Sequence, residues 1–225
     1  MIGTVSEIWR YPVKSMAGEQ LDSASAAETG LEGDRRWAFV DGTANRAGKL
    51  FTATEDKHLM TYRAQMNGRD VEVVTPDGEA RTLDAELISR IGSDSGRLLS
   101  LRDRAGDNFD DSPVLIVNLS TVAAFSLEAR TTVDHRRFRA NFYIEGFEPN
   151  EEVRWVGGRL RVGAAVLEVI KRCERCVVIT HDPDTTVTTP ALLRVLTQTS
   201  ETCMGIYCRV LRPGVVAVGD RVGPE

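Results

Sequence analysis

The residues best equipped for chemistry lie in Cys173-Glu174-Arg175-Cys176-Val177-Val178-Ile179-Thr180-His181-Asp182-Pro183-Asp184. Two thiols stand at C-x-x-C spacing, an apolar run follows, and an Asp-Pro-Asp turn closes the stretch. A thiolate is a soft ligand, suited to zinc, copper(I) and iron–sulfur centres. The spacing alone fits a zinc site, a redox dithiol or a pair of core cysteines. Cys203 and Cys208 add two more thiols, and the four together make a nominal four-thiolate zinc set. Strand parity argues against that set, because Cys203 and Cys208 fall at odd and even positions of one predicted strand and point to opposite faces. Cys208 shares its face with Ile206 and Val210 and reads as core. Their spacing also resembles the opening of a plant-type ferredoxin motif, but no cysteine follows at the required distance. A thioredoxin-like dithiol needs a helix opening at its first thiol, whereas Val177-Val178-Ile179 reads as strand.

A second set of residues is suited to binding an anion. Lys14 and Ser15 sit in a turn after a strand, and Arg35 and Arg36 in a turn before another. Arg139 and Asn141 are spaced to share one face of an extended segment. Ser120 and Thr121 lie at a predicted helix N-terminus, where free N–H groups favour negative charge. Singly each reads as a solvated surface group. Jointly they compose a phosphate cradle with amide-reading polar groups beside it. His58, His135 and His181 are scattered and read as structural or exposed, and Trp37, Trp155 and Tyr143 as core.

The elements that must position these residues are mostly short strands. Residues 2–13 form a strand, with Met1 drawn into its start, and a turn follows at Lys14–Gly18. A turn feeding a strand is expected over 31–41, and further strands at 49–54, 60–66, 70–75 and 79–83, with a Pro76-Asp77-Gly78 turn between the last two. Asp84 caps a short helix to Ile91. Gly92–Gly96 reads as a linker, placing a domain boundary between 1–95 and 96–225. Beyond it come strands at 98–101 and 112–118, a helix over Leu119–Glu128 capped by Asn118 or Ser120, and an extended basic segment at 136–144. A long strand over 160–169 changes parity midway, which suggests a bulge. Pro190 opens a helix, and 203–211 forms a strand that turns at Arg212–Val215 so that 215–218 pairs back on it. The expected fold is mostly β with accessory helices (α+β), a barrel or sandwich.

The 225 residues, 42% hydrophobic, suffice for one large domain or two small ones. A net charge of −5 without a basic stripe excludes a nucleic-acid partner. No apolar run of about 18 residues and no signal peptide occur, so no membrane role and a cytoplasmic location are expected. Four cysteines are too few for a disulfide scaffold. No dinucleotide, Walker or nucleophile-elbow motif is present.

Ordered motifs over nearly the whole chain resemble the MOSC family, in the amidoxime-reducing branch that carries a MOSC N-terminal β-barrel domain. They are Tyr11-Pro12-Val13-Lys14-Ser15, Gly33-Asp34-Arg35-Arg36-Trp37, Asp111-Ser112-Pro113-Val114-Leu115-Ile116-Val117, Arg137-Phe138-Arg139-Ala140-Asn141, Cys173-Glu174-Arg175-Cys176, Asp182-Pro183-Asp184-Thr185, Gly205-Ile206-Tyr207, Pro213-Gly214 and Val218-Gly219-Asp220. The resemblance implies a smaller β-rich domain over 1–95 ahead of a MOSC β-barrel domain over 96–225, and a molybdenum cofactor of the molybdopterin type. Cys176 corresponds to the thiolate that completes the metal's ligand set. Lys14, Ser15, Arg35, Asn118, Ser120, Arg139, Asn141 and Tyr207 correspond to the pterin-phosphate contacts. The implied reaction is two-electron reduction of N-hydroxylated compounds such as amidoximes and hydroxylamines. Its partners are that small-molecule substrate and a separate electron-donor protein of flavin, iron–sulfur or haem type. Asp182 or Asp184 is a proton-relay candidate beside its reading as a turn residue.

Two other readings stand beside this one: a non-redox carrier of sulfur or of the cofactor, and a structural zinc or cofactor-free binding module. Sulfur mobilisation normally uses a pyridoxal-phosphate lysine, and Lys14, Lys49, Lys57 and Lys171 lie in no such setting. Phe51–Lys57 departs from the family's Thr-x-Arg/Gln-rich stretch. The chain is expected to lack the 2Fe–2S domain that follows in some relatives, and a membrane anchor ahead of Met1.

Overall fold

The computed structural model describes residues 2–225; Met1, which the sequence reading drew into the first strand, lies outside them. The first half runs β1 (Gly3–Arg10), β2 (Glu19–Leu21), β3 (Ser23–Ala27), β4 (Gly30–Leu31), β5 (Trp37–Asp41), β6 (Lys49–Phe51), β7 (Arg63–Asn67), β8 (Asp70–Val74), β9 (Ala80–Thr82) and α1 (Ala85–Ser95). The second half runs β10 (Leu99–Asp103), β11 (Val114–Asn118), α2 (Leu119–Glu128), β12 (Phe142–Glu145), β13 (Arg159–Val162), β14 (Ala165–Glu174), α3 (Ala191–Ser200), β15 (Cys203–Arg212), β16 (Gly214–Ala217) and β17 (Arg221–Pro224). The mostly-β expectation holds, with three α-helices among the described residues.

Seven strands close into a barrel in the order β12-β11-β15-β14-β13-β17-β1, and the β1–β12 pairing seals the ring. β2 hangs on β1 outside the ring. Every barrel seam is antiparallel except β11–β12, whose strands are joined through α2. Alternating apolar residues fill the interior: Val5 and Ile8 from β1, Ile116 from β11, Leu167 and Val169 from β14, Ile206 and Cys208 from β15. A second apolar layer lies outside, where Phe125 of α2 and Leu192 and Leu196 of α3 pack with Phe138, Tyr143 and Cys173. A third core, around Phe39, Phe51, Leu59, Val73 and Leu87, belongs to the first half and is covered by the β10-β5-β6 and β7-β8-β9 sheets.

Several local expectations need correction. α1 runs through the expected Gly92–Gly96 linker and stops at Gly96, whose left-handed conformation (φ 64°) ends it. β10 then pairs along its length with β5, so hydrogen bonding crosses the 95/96 boundary. The long strand expected over 160–169 is two strands joined by a tight hairpin at Gly163-Ala164, with Val162 facing Ala165, while the expected bulge is present as a register shift against β15 between Val166 and Leu167. Residues 136–144 are extended only from Phe142 on: a 3-10 turn over His135–Phe138 ends at a left-handed Arg139 before β12 begins. Val177–Thr180 is likewise a 3-10 turn, not a strand. Gly214–Ala217 does not pair back on β15 but crosses to β3, forming a β16-β3-β4 sheet. The α2 start is as read: Asn118 Oδ1 accepts from Ser120 N at 3.1 Å. No helix among the described residues is long and apolar enough to cross a membrane.

Gly205 shows how tightly β15 is built. It adopts φ 80°, and a Cβ there would stand 2.5 Å from the Ile116 carbonyl oxygen of β11. Gly205→Ala should cost about 2 kcal/mol or more through left-handed strain and this clash. The expected outcome is a fall in Tm of roughly 4–8 °C, read by thermal denaturation; an unchanged Tm would contradict this backbone geometry.

Candidate functional site

A cleft of about 330 Å³ opens where the two halves of the chain meet, lined from one half by Lys14, Ser15 and Arg35 and from the other by Arg139, Cys176 and Tyr207. Each cationic residue is placed by backbone, not by chance of side-chain length. After β1 the chain turns at Pro12 and Val13, and Pro12 and Lys14 hydrogen-bond across to Trp37 at the start of β5 (Trp37 N to Pro12 O, 3.1 Å; Lys14 N to Trp37 O, 2.8 Å). Asp34 is buried and accepts from Tyr11 N at 2.7 Å, while its other oxygen pairs with Arg35. Ser15, Arg35 and Arg139 all take positive φ, at 72°, 47° and 52°. That conformation is costly for a residue with a Cβ, and three such residues on one cleft wall are a mark of a functional site.

The side chains converge. Arg35 and Arg139 lie over the Tyr11 ring at 4.9 and 4.4 Å from its centroid. Arg35 Nη2 donates to Arg139 O at 3.0 Å, and Arg139 Nη2 to Met16 O at 2.7 Å. Lys14 Nζ donates to Asn108 O at 2.8 Å and to Asp110 Oδ1 at 2.5 Å. Burial pushes the Tyr11 hydroxyl up to about 12 in spite of the two guanidiniums. Burial also lowers Lys14, with Arg35 and Arg139 acting in the same sense and Asp110 against it. For Arg139, burial and then the like charge of Arg35 lower the pKa. This is a desolvated concentration of positive charge, which a phosphate would stabilise.

The two thiols of the pair differ in setting. Cys173 is the fixed one, buried in β14, whereas Cys176 stands on the loop after it and is exposed at the cleft wall. Arg175 Nη1 lies 2.8 Å from Cys173 Sγ, not against Cys176, and its Nη2 donates to Phe138 O at 2.6 Å. Arg172 turns away to Glu201 and Ser200 O. Cys208 is in the barrel core, as its parity indicated, and Tyr207 on the opposite face reaches the cleft.

Other site candidates are elsewhere. Asn118 and Ser120 do not line the cleft. The N-terminus of α2 already holds a carboxylate of this chain: buried Glu152 accepts from Thr121 Oγ1 at 2.9 Å and from Asn118 Nδ2 at 3.2 Å. Asn141 borders the cleft, but its side chain bonds Leu115 N and Trp9 O, pinning β1 to β11. Asp182 caps its own turn, accepting from Thr185 N, and pairs with Arg137; Asp184 pairs with Arg136. Neither lines the cleft, although Asp184 borders a second hollow of about 590 Å³ that shares only Arg139 with it. The sequence reading missed Asp110, Phe109, Leu115 and Phe138 as lining residues, and Thr52-Ala53-Thr54 form one rim.

The geometry ranks the thiols by access. A neutral alkylating reagent should label Cys176 first in the native protein, Cys203 more slowly because burial raises its thiol pKa, and Cys173 and Cys208 only on unfolding. Peptide mass spectrometry over time checks this order, and early labelling of Cys173 would contradict it.

Comparison with known proteins places this geometry in a lineage. Residues 100–223 match the MOSC domain and residues 2–122 the MOSC N-terminal beta barrel domain. The chain is 24% identical to mitochondrial amidoxime reducing component 2 of Bos taurus, covering 98% of this chain and 83% of that protein. It is 25% identical to mitochondrial amidoxime-reducing component 1 of Homo sapiens, over 98% and 82%. A molybdenum cofactor sulfurase of Caenorhabditis briggsae is 26% identical over 92% of this chain but only 33% of that protein. Among solved structures, the YUAD protein of Bacillus subtilis shares the fold with a TM-score of 0.56 at 16% identity, over 99% of this chain and 94% of that one. With more than half of its length matched by each of two adjoining, overlapping domains, this chain belongs to the MOSC family and carries both the N-terminal barrel domain and the MOSC domain.

Proposed function

We propose that the cleft binds a molybdenum cofactor of the molybdopterin type and that the chain is an oxidoreductase acting on N-hydroxylated compounds such as amidoximes and hydroxylamines. The observation that carries this reading is the meeting of an exposed soft thiol, Cys176, with the cations Lys14, Arg35 and Arg139 on one cleft. The donor set fits the group. A phosphate suits the cationic wall, and a thiolate suits a soft metal centre. The buried Arg175 Nε has no partner within the protein and leaves a donor to spare beside Cys176. The names of the amidoxime-reducing relatives support the reaction class.

In this reading Lys14, Ser15, Arg35 and Arg139 hold the phosphate end. Tyr207 and Asn141 flank the pterin, and Cys176 is the protein's ligand to the metal. The bound group supplies the two-electron chemistry that cleaves an N–O bond with release of water. The protein's part is to hold, orient and tune it. The loop position of Cys176 leaves the thiol open to the solvent side, where a small substrate can approach. Reducing equivalents come from a separate donor protein of flavin, iron–sulfur or haem type. The name of the sulfurase relative favours a second reading, in which Cys176 carries sulfur or the chain carries the cofactor without turnover.

Cys176→Ser should abolish molybdenum retention and the reduction of an amidoxime by an artificial low-potential donor, while the phosphate end still retains pterin. Cys173→Ser should keep most turnover, with some loss of stability from a hydroxyl placed in a buried site. Molybdenum, pterin and turnover are measured on protein made in a cofactor-competent host. A fully active Cys176→Ser protein ends the ligand assignment, and molybdenum without any turnover in the unaltered chain favours the carrier.

Arg35→Ala and Arg139→Ala should each weaken cofactor retention about 10- to 150-fold, the worth of one charge-assisted contact of roughly 1.5–3 kcal/mol. Arg139→Lys should also lose affinity, because a planar fork is replaced by a point charge. Full molybdenum content after gel filtration in both alanine variants would sink the cradle.

A further inference from the structure

The anion wall is not bare: a carboxylate of this chain already rests on it. Asp110 Oδ1 lies 2.5 Å from Lys14 Nζ, and Arg35 and Arg139 both act on the same carboxyl. Partial desolvation at the cleft wall pushes that carboxyl up, but the charge and hydrogen bond of Lys14, with the two guanidiniums behind it, bring the net shift down. The two partners of the pair are unlike in freedom. The Lys14 side chain is 8% exposed and that of Asp110 is 79% exposed, although Asp110 also lines the cleft.

The loop that carries Asp110 is anchored just before it. Asn108 is fully buried, and its Nδ2 donates to the carbonyls of Arg35, Arg36 and Arg104 at 3.0, 2.8 and 3.1 Å. The Asn108 carbonyl also accepts from Lys14 Nζ. The Lys14 ammonium therefore stays in place when Asp110 leaves it, and only the exposed carboxylate has to move.

We propose that Asp110 is an autoinhibitory residue of the cleft, an internal carboxylate that occupies the anion position on Lys14 and is displaced when a phosphate binds there. This rests on reading the cleft as an anion site. With Asp110 in place, Lys14, Arg35 and Arg139 face Asp34 and Asp110, and the wall carries a single net positive charge. With Asp110 displaced the wall carries about two, the charge of a phosphate near neutral pH. The internal carboxylate, held at high effective concentration, competes with every anion from solution by the same factor, and its charge opposes a dianion more than a monoanion. A phosphate gains a second charge-assisted partner.

The test uses the full chain from a host that makes no cofactor, with inorganic phosphate and acetate as probes in calorimetric titrations at fixed ionic strength. Asp110→Asn should bind phosphate about three- to tenfold tighter, the worth of freeing a partly exposed ion pair and removing a repulsion. Acetate, with half the charge, should tighten by a smaller factor, so the preference for phosphate over acetate rises. Asp110→Glu should keep the wild-type preference, and Asp110→Asn combined with Arg139→Ala should lose the gain. Phosphate affinity that is unchanged or weaker in Asp110→Asn, or an unaltered preference, overturns the role of Asp110 alone. Wild-type phosphate binding that ignores Arg139→Ala, or no phosphate binding by wild type and Asp110→Asn alike, overturns the anion reading and this proposal with it.

Discussion

Two guanidiniums lie against the ring of one tyrosine, and a buried carboxylate supports that arrangement. Arg35 and Arg139 both lie over the Tyr11 ring, within the range in which like charges repel in a poorly solvated site. Asp34, 2% exposed, offsets this by pairing with Arg35 while its second oxygen fixes the backbone of Tyr11. The ring adds its own quadrupole attraction to both cations. Each partner therefore has two tasks: Asp34 neutralises and shapes the turn, and Tyr11 begins the turn after β1 and carries the arginines. The positive φ of Arg35 is held by the same turn, through Arg35 N to Tyr11 O at 2.7 Å.

The barrel serves this cluster by bringing distant segments to its rim. β1 leads directly into Tyr11 and Lys14, β12 starts just after Arg139 and Asn141, and β14 ends beside Cys176. Because β1 is paired with β12, the β1 end and the Arg139 turn are held as neighbours, through Trp9 N to Asn141 O at 2.8 Å and Asn141 Nδ2 to Trp9 O at 3.3 Å. Packing against the second apolar layer holds Phe138 at 0% exposure, and so fixes the Arg139 beside it.

Much of this was legible from residue type and spacing. The strand pattern, the Asp84 and Asn118 caps, and the core-facing Cys208 all follow from period and capping chemistry. What misled was context. Arg139 and Asn141 share the cleft, but not through strand parity, because Arg139 is in a left-handed turn that only tertiary contacts hold. The run Val177-Val178-Ile179 has strand composition, yet no barrel edge is open to it and it winds into a 3-10 turn under α3. Asp182 and Asp184 looked chemical and serve as turn and ion-pair residues. Asp110 gave no signal, since a polar loop residue is read by what it meets across the fold. Arg175 sits between the two thiols in sequence, but only the structure shows that it grips the buried one.

Closing the ring with the first strand also dictates the order in which the molecule can be completed as it leaves the ribosome. Gly3 pairs with Val222, so the last barrel seam joins positions at nearly opposite ends of the chain. Until β12 emerges, β1 has no barrel neighbour and has only β2 at its far end; until β17 emerges, its other edge stays open. A long-lived open edge is a template for pairing with other chains, and such distant contacts slow folding. During synthesis the apolar core of the first half can assemble once β10 has emerged, while the barrel, and the cleft at its rim, must wait for β17.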